Sequence, residues 1–275
     1  MLKPQIVTEL QDMRHLEWSR IRKSSVSAGS YLKAYELVDG RKVYYKLSLY
    51  DSVHGITGHE SVNEIIVDRL LSVLGIEHLS YQLIHSLIVI GGKEYETYIC
   101  ASEDFKELGD SKIPLDDLYE LSMNSDESIM DFIARMKWSD FIYKMIVVDF
   151  LILNRDRHGA NIEIIKKRKT NYLYPAPIFD HGISLIYNCK NENEVTSFDV
   201  MEDRPVQCYV GSRSAKDNLG IIPIDANPII RKIEERDRDV IFDGLEGILP
   251  PFYYDKIWNM IWERWCYYEN LRNKG

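Results

Sequence analysis

Two neighbouring segments near the start of the chain, residues 31–38 and 41–48, have the composition of β-strands. Each combines aromatic and aliphatic residues with charged ones. The dipeptide Asp39-Gly40 joins the two segments, and such a two-residue connection is typical of a tight β-hairpin. The sequence therefore predicts two antiparallel strands, with Lys46 in the middle of the second strand among aromatic and aliphatic neighbours.

The following segments have a helical period. In residues 59–74 the apolar positions recur at spacings of three and four, and Gly75 follows as a C-terminal cap. The apolar run 145–153 is typical of a buried helix, and a polar stretch, 154–161, separates it from the strand-like residues 161–165. A hairpin, a helix, further strands and then mainly helices together predict an α+β fold.

Two polar segments carry the candidate chemistry. Residues 154–161 read Asn-Arg-Asp-Arg-His-Gly-Ala-Asn, so that Asp156 and Asn161 have the spacing D-x-x-x-x-N, and Asp180 follows in a D-x-G context. Phosphoryl transfer from ATP uses one carboxylate to accept the proton of the attacking hydroxyl, and an amide and a second carboxylate to hold Mg²⁺. These three side chains are candidates for that set. His158 is expected to be a structural residue that hydrogen-bonds the loop, and general-base catalysis is the alternative role.

The spacing alone is not specific, because Asp149 and Asn154 satisfy it as well. Asp149 lies in the apolar run 145–153, and a helical spacer would not present both groups to one metal ion. We therefore interpret Asp149 as a structural residue. The chemistry is placed in the polar stretch 154–161, which lies between a helix and a short strand pair.

A phosphate contact is expected upstream of these segments. Lys46 can extend its ammonium group to the α- and β-phosphates of ATP, and Glu64 on the predicted helix is the candidate to hold it in place. Glu60, one turn earlier, is the alternative partner. A single lysine on a strand or glutamate on a helix is usually solvated, so these assignments rest on the order of the elements along the chain.

A hinge is predicted where the strand-like residues 94–101 give way to the polar residues 102–104. We expect a small β-rich N-lobe over residues 1–103 and a larger, mainly helical C-lobe over residues 104–275. The hinge backbone groups expected to meet the adenine ring are those of Cys100, Ser102 and Glu103.

These motifs resemble the HipA-like serine/threonine kinases, bacterial enzymes with a two-lobed protein-kinase-like fold. The resemblance spans roughly residues 20–190 and rests on residues 45–48, 63–64, 74–76, 154–161 and 179–184. The order Asp-Arg-His is also similar to that of phosphoinositide lipid kinases. The roles that the resemblance implies are catalytic base for Asp156, Mg²⁺ ligands for Asn161 and Asp180, and phosphate contact for Lys46.

The chain departs from the usual glycine-rich loop. Residues 24–30 contain four serines and one glycine, and HipA-like kinases also carry a Ser-rich loop here in which a serine can be autophosphorylated. A phosphoserine would oppose nucleotide binding, because it adds negative charge where the ATP phosphates should lie. We expect Ser27, Gly29 and Ser30 to cradle phosphate, and the alternative is an ordinary polar turn. The 275 residues leave little room for the extra N-terminal domain of longer members, which argues against a toxin–antitoxin role.

Composition agrees with an enzyme that has a sizeable core, since the hydrophobic fraction is 45% and the charged fraction is 28%. No apolar stretch is long enough to span a membrane, and the N-terminus lacks a signal-peptide core. The four cysteines are far apart without C-x-x-C, which argues against a disulfide framework and favours a reducing cytoplasm. The net charge of −9 argues against a broad nucleic-acid surface.

Three further segments have two interpretations each. The basic cluster 166–169 is interpreted as a hairpin tip, and recruitment of an acidic substrate is the alternative. Residues 188–220 are polar and irregular, which favours a substrate-binding segment over packing. The C-terminal segment predicts a helix after two prolines that docks by one face, or binds a regulatory partner protein instead. That face comprises Trp258, Ile261, Trp262 and Trp265.

The sequence as a whole predicts an ATP- and Mg²⁺-dependent kinase that acts on a serine or threonine hydroxyl of a protein substrate. A small-molecule or lipid kinase on the same fold is the first alternative, because a fold does not fix the acceptor. A nucleotide-binding pseudokinase that acts as an interaction module is the second. The presence of Asp156, Asn161 and Asp180 argues against the pseudokinase.

Overall fold

The N-terminal part of the chain forms a five-stranded sheet in the order β1-β6-β7-β3-β2. Its strands pair antiparallel except for β1, which runs parallel to β6. The structure is a computed structural model and describes residues 5–19, 31–226, 228 and 230–273.

Strands dominate the first half of the chain and helices the second. The strands are β1 (Ile6–Asp12), β2 (Lys33–Val38), β3 (Arg41–Lys46), β4 (Tyr50–Asp51), β5 (Gly55–Ile56), β6 (Gln82–Ile90), β7 (Lys93–Glu103), β8 (Ser111–Pro114), β9 (Asp156–Arg157), β10 (Glu163–Lys166), β11 (Leu173–Pro175) and β12 (Gln207–Cys208). The α-helices are α1 (Glu60–Leu74), α2 (Leu115–Ser122), α3 (Ile129–Arg135), α4 (Ser139–Leu151), α5 (Glu192–Ser197), α6 (Ala215–Asn218), α7 (Asp237–Phe242) and α8 (Pro251–Asn273).

The predicted hairpin is confirmed as β2 and β3. Asp39 and Gly40 have φ angles of 50° and 77°, so both turn residues are left-handed, as the tight turn between twisted strands requires. Lys33 lies opposite Lys46 in this pair, so both side chains project from the same face of the sheet. The other face packs over a small core that includes Tyr45, Leu47 and Ile88.

The predicted helix after the hairpin is confirmed as α1. Gly75 ends it at φ 70°, and its N–H returns to the carbonyl groups of the last turn. Almost every residue of α1 is buried, because the helix lies between the sheet and the helical part of the chain. Its apolar residues share one large core with those of α4 and α8.

The chain leaves the five-stranded sheet after Glu103 and enters a three-stranded sheet at Ser111, in the order β11-β10-β8. Helices dominate the remainder, and α4 is the buried helix that the apolar run predicts. The molecule is therefore a two-lobed α+β fold with a β-rich part and a larger helical part. Within the described residues, no helix is long and apolar enough to cross a membrane.

Residues 188–220 are more ordered than their polar composition indicates. The structure places α5, β12 and α6 in this segment, and β12 pairs in parallel with β9. The expectation of an irregular segment is wrong because scattered apolar residues anchor it in the core. They are Val195, Phe198, Val200, Val206, Val210, Ala215 and Leu219.

The C-terminal helix α8 docks onto the large core, as one of its two interpretations predicts. Ile261 and Trp265 lie in the docked face. Trp258 and Trp262 stack on each other with ring centroids 5.8 Å apart and are only partly buried, so they lie at the margin of that face. The buried guanidinium of Arg264 donates to the backbone carbonyls of Phe150, Val200 and Glu202.

Candidate active site

A cleft of about 830 Å³ lies between the five-stranded sheet and the helical part. Residues 20–30, which contain the predicted phosphate-cradling Ser27, Gly29 and Ser30, lie outside the described residues. The other residues predicted to form the nucleotide, metal and catalytic site all line this cleft. They are Lys46, Glu64, Cys100, Ser102, Glu103, Asp156, Asn161 and Asp180.

Lys46 reaches into the cleft from the end of β3 and contacts two carboxylates. Its Nζ lies 2.9 Å from Glu64 Oε1 and 2.8 Å from Asp180 Oδ1. Glu60 accepts from Tyr31 Oη and from the Leu49 N–H, so Glu64 rather than Glu60 is the partner. Although burial lowers the pKa of Lys46, the two carboxylates raise it well above its ordinary value. Lys46 is therefore a charged ammonium group.

Asp180 is held in a left-handed conformation, with φ 61°, by contacts on both sides. Its own N–H donates to Tyr81 Oη, and the N–H of His181 donates to Glu64 Oε2 at 2.9 Å. Asparagine and aspartate tolerate this region better than most residues. Burial alone would raise the pKa of Asp180, but Lys46 and Lys33 outweigh it and hold that pKa well below its ordinary range. Asp180 is therefore an anion.

A buried ion pair ties the two polar segments together. Arg157 is 1% exposed, and its Nε and Nη2 lie 2.9 Å from Oδ2 and Oδ1 of Asp149. Its Nη1 donates to the carbonyls of Asn161 and Phe179, at 3.2 and 2.9 Å. One guanidinium group thus fixes the end of the 154–161 loop and the residue before Asp180. Asp149 is structural, as its place in an apolar run indicates.

Asp156 faces the cleft from β9, and the side chain of Asn154 accepts its N–H. Burial raises the pKa of Asp156, and the neighbouring Asp180 carboxylate raises it further against the opposing charges of His158 and Arg157. A carboxylate with a raised pKa is a stronger base than a solvated one. Asp156 is thus chemically suited to accept a proton.

The position of His158 corrects one expectation from the sequence. We expect this residue to support the loop through a hydrogen bond, and within the described part of the chain its side chain forms none. Instead, its Nε2 lies 3.7 Å from Asp156 Oδ1, and the ring lines the cleft. His181, in contrast, is 1% exposed, and burial holds its pKa well below its ordinary value.

Asn161 and Asp180 offer oxygen atoms to a cation. Asn161 Nδ2 donates to the Asp156 carbonyl at 2.8 Å, and this orientation leaves Oδ1 as the ligand atom. Within the described chain, no group of three or more His, Cys, Asp or Glu side chains is arranged to hold a metal ion. One amide and one carboxylate fit Mg²⁺, which keeps several waters and binds together with substrate phosphates.

The hinge strand β7 has one open edge at its end. Pairing with β6 ends at Ala101, whereas pairing with β3 continues to Glu103. Among the described strands, none pairs with the side of Ser102 and Glu103 that faces away from β3. Backbone groups at this edge can therefore hydrogen-bond a planar ligand, and Phe105 and Phe179 lie nearby with ring centroids 5.6 Å apart.

Sequence reasoning missed Lys33. Its Nζ lies 3.8 Å from Asp180 Oδ2, so this carboxylate lies between two ammonium groups. The signal was present in the hairpin, because the two-residue turn fixes the register and places Lys33 directly opposite Lys46. Like charges that face each other in a strand pair are unfavourable unless anions lie between them.

No protein-family model and no curated protein sequence matches this chain. Solved structures nevertheless share its fold. One is the crystal structure of the Helicobacter pylori proinflammatory kinase CtkA, with a TM-score of 0.66 and 15% identity over 96% of this chain and 97% of that chain. Another is the Shewanella oneidensis MR-1 toxin–antitoxin complex of HipA, HipB and operator DNA, with a TM-score of 0.54 and 15% identity over 91% of this chain and 66% of that chain. The fold expected from the resemblance to HipA-like kinases is thus confirmed.

Proposed function

We propose that this chain is a Mg²⁺- and ATP-dependent kinase that transfers the γ-phosphate to a serine or threonine hydroxyl of a protein. One observation carries the proposal: a base candidate, two metal-ligand candidates and a lysine–glutamate pair line a single cleft of a kinase-like fold. They are Asp156, Asn161, Asp180, Lys46 and Glu64. These residues come from four separate segments, and phosphoryl transfer uses this combination of groups.

In this proposal Asp156 takes the proton of the acceptor hydroxyl. The hydroxyl oxygen forms a bond to the γ-phosphorus, the bond from that phosphorus to the β–γ bridging oxygen breaks, and ADP leaves with the electron pair. The raised pKa of Asp156 supports this role, because a stronger base accepts a proton more readily. The ring of His158, whose Nε2 lies 3.7 Å from Asp156 Oδ1, can stabilise the charged form of the Asp156 carboxylate.

Asp180 and Asn161 would hold Mg²⁺, which neutralises charge on the phosphates when it is bound. Lys46 Nζ lies 2.8 Å from Asp180 Oδ1, so a phosphate oxygen would replace Asp180 as its partner if Asp180 held the metal ion. Glu64, 2.9 Å from Lys46 and buried, keeps the ammonium group in the cleft during the exchange. Lys33 is available as a second cation for the phosphates, since its side chain is one-third exposed and lies beside Asp180.

The adenine ring is assigned to the open edge of β7 at Ser102 and Glu103. The geometry of the hinge supports this assignment, because the edge lines the same cleft as Lys46 and Asp180. Cys100 lies beneath, fully buried, and burial raises the pKa of its thiol to about 12, so it acts as an apolar floor.

All four cysteines are free, which supports a reducing cytoplasm as the site of action.

A small-molecule or lipid kinase remains the alternative, because the fold does not determine the acceptor. The test is incubation with γ-labelled ATP, Mg²⁺ and a cell extract, followed by identification of the labelled species, with Asp156→Asn as the matched inactive variant. Label in protein that depends on Asp156 and on Mg²⁺ is the expected result. Label confined to lipids or small metabolites would establish the alternative, and no label in any fraction would contradict kinase activity.

A further inference from the structure

The basic side chains of the cleft differ in how their charge is balanced. The three lysines each have a carboxylate oxygen within 4.0 Å: Lys33, Lys46 and Lys112. Arg155 and Arg213 also line the cleft, and among the described residues neither has a carboxylate within that distance. Two guanidinium groups in one cleft without a counter-charge form a site for an anion.

The two arginines lie on the side of the cleft next to Asp156. Arg155 directly precedes Asp156, and its Nε donates to the Pro205 carbonyl at 2.9 Å, which leaves its other nitrogens available. The carbonyl of Arg213 accepts the N–H of Val206 at 2.9 Å. Both residues are therefore anchored to the same short stretch, 205–206, which leads into the strand that pairs with the proposed base.

We infer that Arg155 and Arg213 recognise carboxylates that flank the acceptor hydroxyl, so that the substrate is an acidic protein segment containing serine or threonine. This inference rests on the proposed kinase activity, and it specifies the class of acceptor. The proposed function places the phosphates of ATP elsewhere, on the side of Lys46 and Lys33. The arginines are thus left for the second substrate.

The backbone next to the arginines supports a peptide as the occupant. Gln207 N–H and Tyr209 N–H donate to the carbonyls of Arg155 and Arg157, so the N–H and C=O of Cys208 point away from β9. On that side the Arg213 carbonyl already accepts the Val206 N–H, and within the described chain no strand pairs with the backbone groups of Cys208. An extended segment can add to such an edge through backbone hydrogen bonds, and β12 is in register with Asp156.

The basic cluster 166–169 is a poorer candidate for the same task. It lies at the β10–β11 hairpin, outside the cleft lining. Lys167 Nζ is 3.1 Å from Glu107 Oε2 and 3.8 Å from Asp110 Oδ2, so part of the charge is already balanced. The hairpin-tip interpretation is therefore favoured, and the cluster supplies a control.

The experiment compares two synthetic serine peptides that differ only in glutamate or glutamine at the positions flanking the serine. We expect kcat/KM to be about fivefold higher for the glutamate peptide, equivalent to about 1 kcal/mol for an exposed ion pair. Arg213→Gln should lower the ratio of kcat/KM for the glutamate peptide to kcat/KM for the glutamine peptide by at least about twofold. Arg213→Lys should retain part of this ratio. Lys169→Gln removes the same charge from the exposed hairpin and should leave the ratio unchanged.

Equal kcat/KM for the two peptides would overturn the inference while the kinase activity stands. A ratio that falls in Lys169→Gln and not in Arg213→Gln would assign the recognition to the hairpin instead and would also overturn it. Phosphate transfer to phosphatidylinositol vesicles and to neither peptide would do the same. Failure of the proposed function itself is distinguishable, because Mg²⁺–ATP would then give no turnover with any acceptor. A rise in melting temperature without turnover would indicate a nucleotide-binding pseudokinase instead.

Discussion

The buried pair of Asp149 and Arg157 allows a prediction that does not depend on the proposed activity. Asp149→Ala removes the carboxylate but leaves Arg157, 1% exposed, in the interior. The variant loses the contacts from Nε and Nη2 of Arg157 and the hydrogen bond from Asn154 Nδ2, each at 2.9 Å. A buried charge without its partner is among the few changes that destabilise a protein strongly.

The expected loss of unfolding free energy follows from the geometry. Breaking a buried ion pair by removing one partner costs about 3–5 kcal/mol. Arg157 keeps two carbonyl acceptors, on Asn161 and Phe179, which places the expectation near the lower end, about 3 kcal/mol. For a large domain this corresponds to a fall in melting temperature of about 6–12 °C.

Urea denaturation and calorimetry on the purified variants provide the measurement. Asp140→Ala is the matched control, since Asp140 pairs with Lys144 at 2.8 Å on the same helix but is 63% exposed. Its loss should cost less than about 0.5 kcal/mol. A double-mutant cycle with Arg157→Met should give a coupling energy of about 2–3 kcal/mol, because replacing both partners removes the uncompensated charge.

The reasoning would be refuted if Asp149→Ala were within about 0.5 kcal/mol of the control, which is the range of ordinary surface changes. It would also be refuted by an Asp149–Arg157 coupling energy near zero. Either result would mean that the guanidinium group finds water or another anion when Asp149 is absent.

Four further predictions concern the cleft. Mg²⁺–ATP should raise the melting temperature of the wild type and not of Asp180→Ala, because a ligand stabilises the state that binds it; an equal shift in the variant would remove Asp180 from the site. Asp156→Asn should bind Mg²⁺–ATP nearly normally but transfer phosphate about 10²–10⁴-fold more slowly. Intact-mass analysis should accordingly show added phosphate in the wild type only, and this phosphate should map to a serine of residues 24–30. Equal phosphate in the variant would exclude autophosphorylation. In the wild type, kcat/KM should rise with pH through a pKa above the ordinary aspartate value of about 3.9, since Asp156 must be deprotonated to act and burial raises its pKa; an acid limb at or below that value would contradict this. Lys33→Gln should weaken Mg²⁺–ATP binding about fivefold in titration calorimetry, whereas Lys42→Gln, on the same hairpin but outside the cleft lining, should not.

Elements with local signals could be predicted from the sequence. Asp39-Gly40 fixes the β2–β3 turn, and Gly75 ends α1, because each acts within a few residues of its own position. The motif segments could also be found, although D-x-x-x-x-N occurs twice. Burial in α4 distinguishes the structural Asp149 from the candidate base Asp156, and the apolar run in the sequence already indicates that Asp149 is buried.

Features that depend on contacts between distant segments could not be predicted in the same way. The hydrogen bond between Lys46 and Asp180 joins residues 134 positions apart, and no local pattern encodes it. A structural hydrogen bond is expected of His158 because the loop already holds a carboxylate in the place of the base, whereas the chain brings the His158 ring to 3.7 Å from Asp156. The order in residues 188–220 was missed because single apolar residues, such as Val195 and Val206, reveal their burial only when α8 and α4 are in place.

The contact of Lys46 and Lys33 with Asp180 has a consequence for the resting protein. The two ammonium groups act as counter-ions for the carboxylate that is proposed to take the metal, so two cations face two carboxylates in the group of Lys33, Lys46, Glu64 and Asp180. The proposed binding of nucleotide would then exchange ionic partners within this group. Because the pKa of Asp180 is depressed in the fold, the stability it contributes is present above the unfolded pKa of about 3.9 and is lost only as the pH falls through the lower native value. These ion pairs therefore persist at acidic pH in the part of the cleft that is proposed to bind Mg²⁺–ATP.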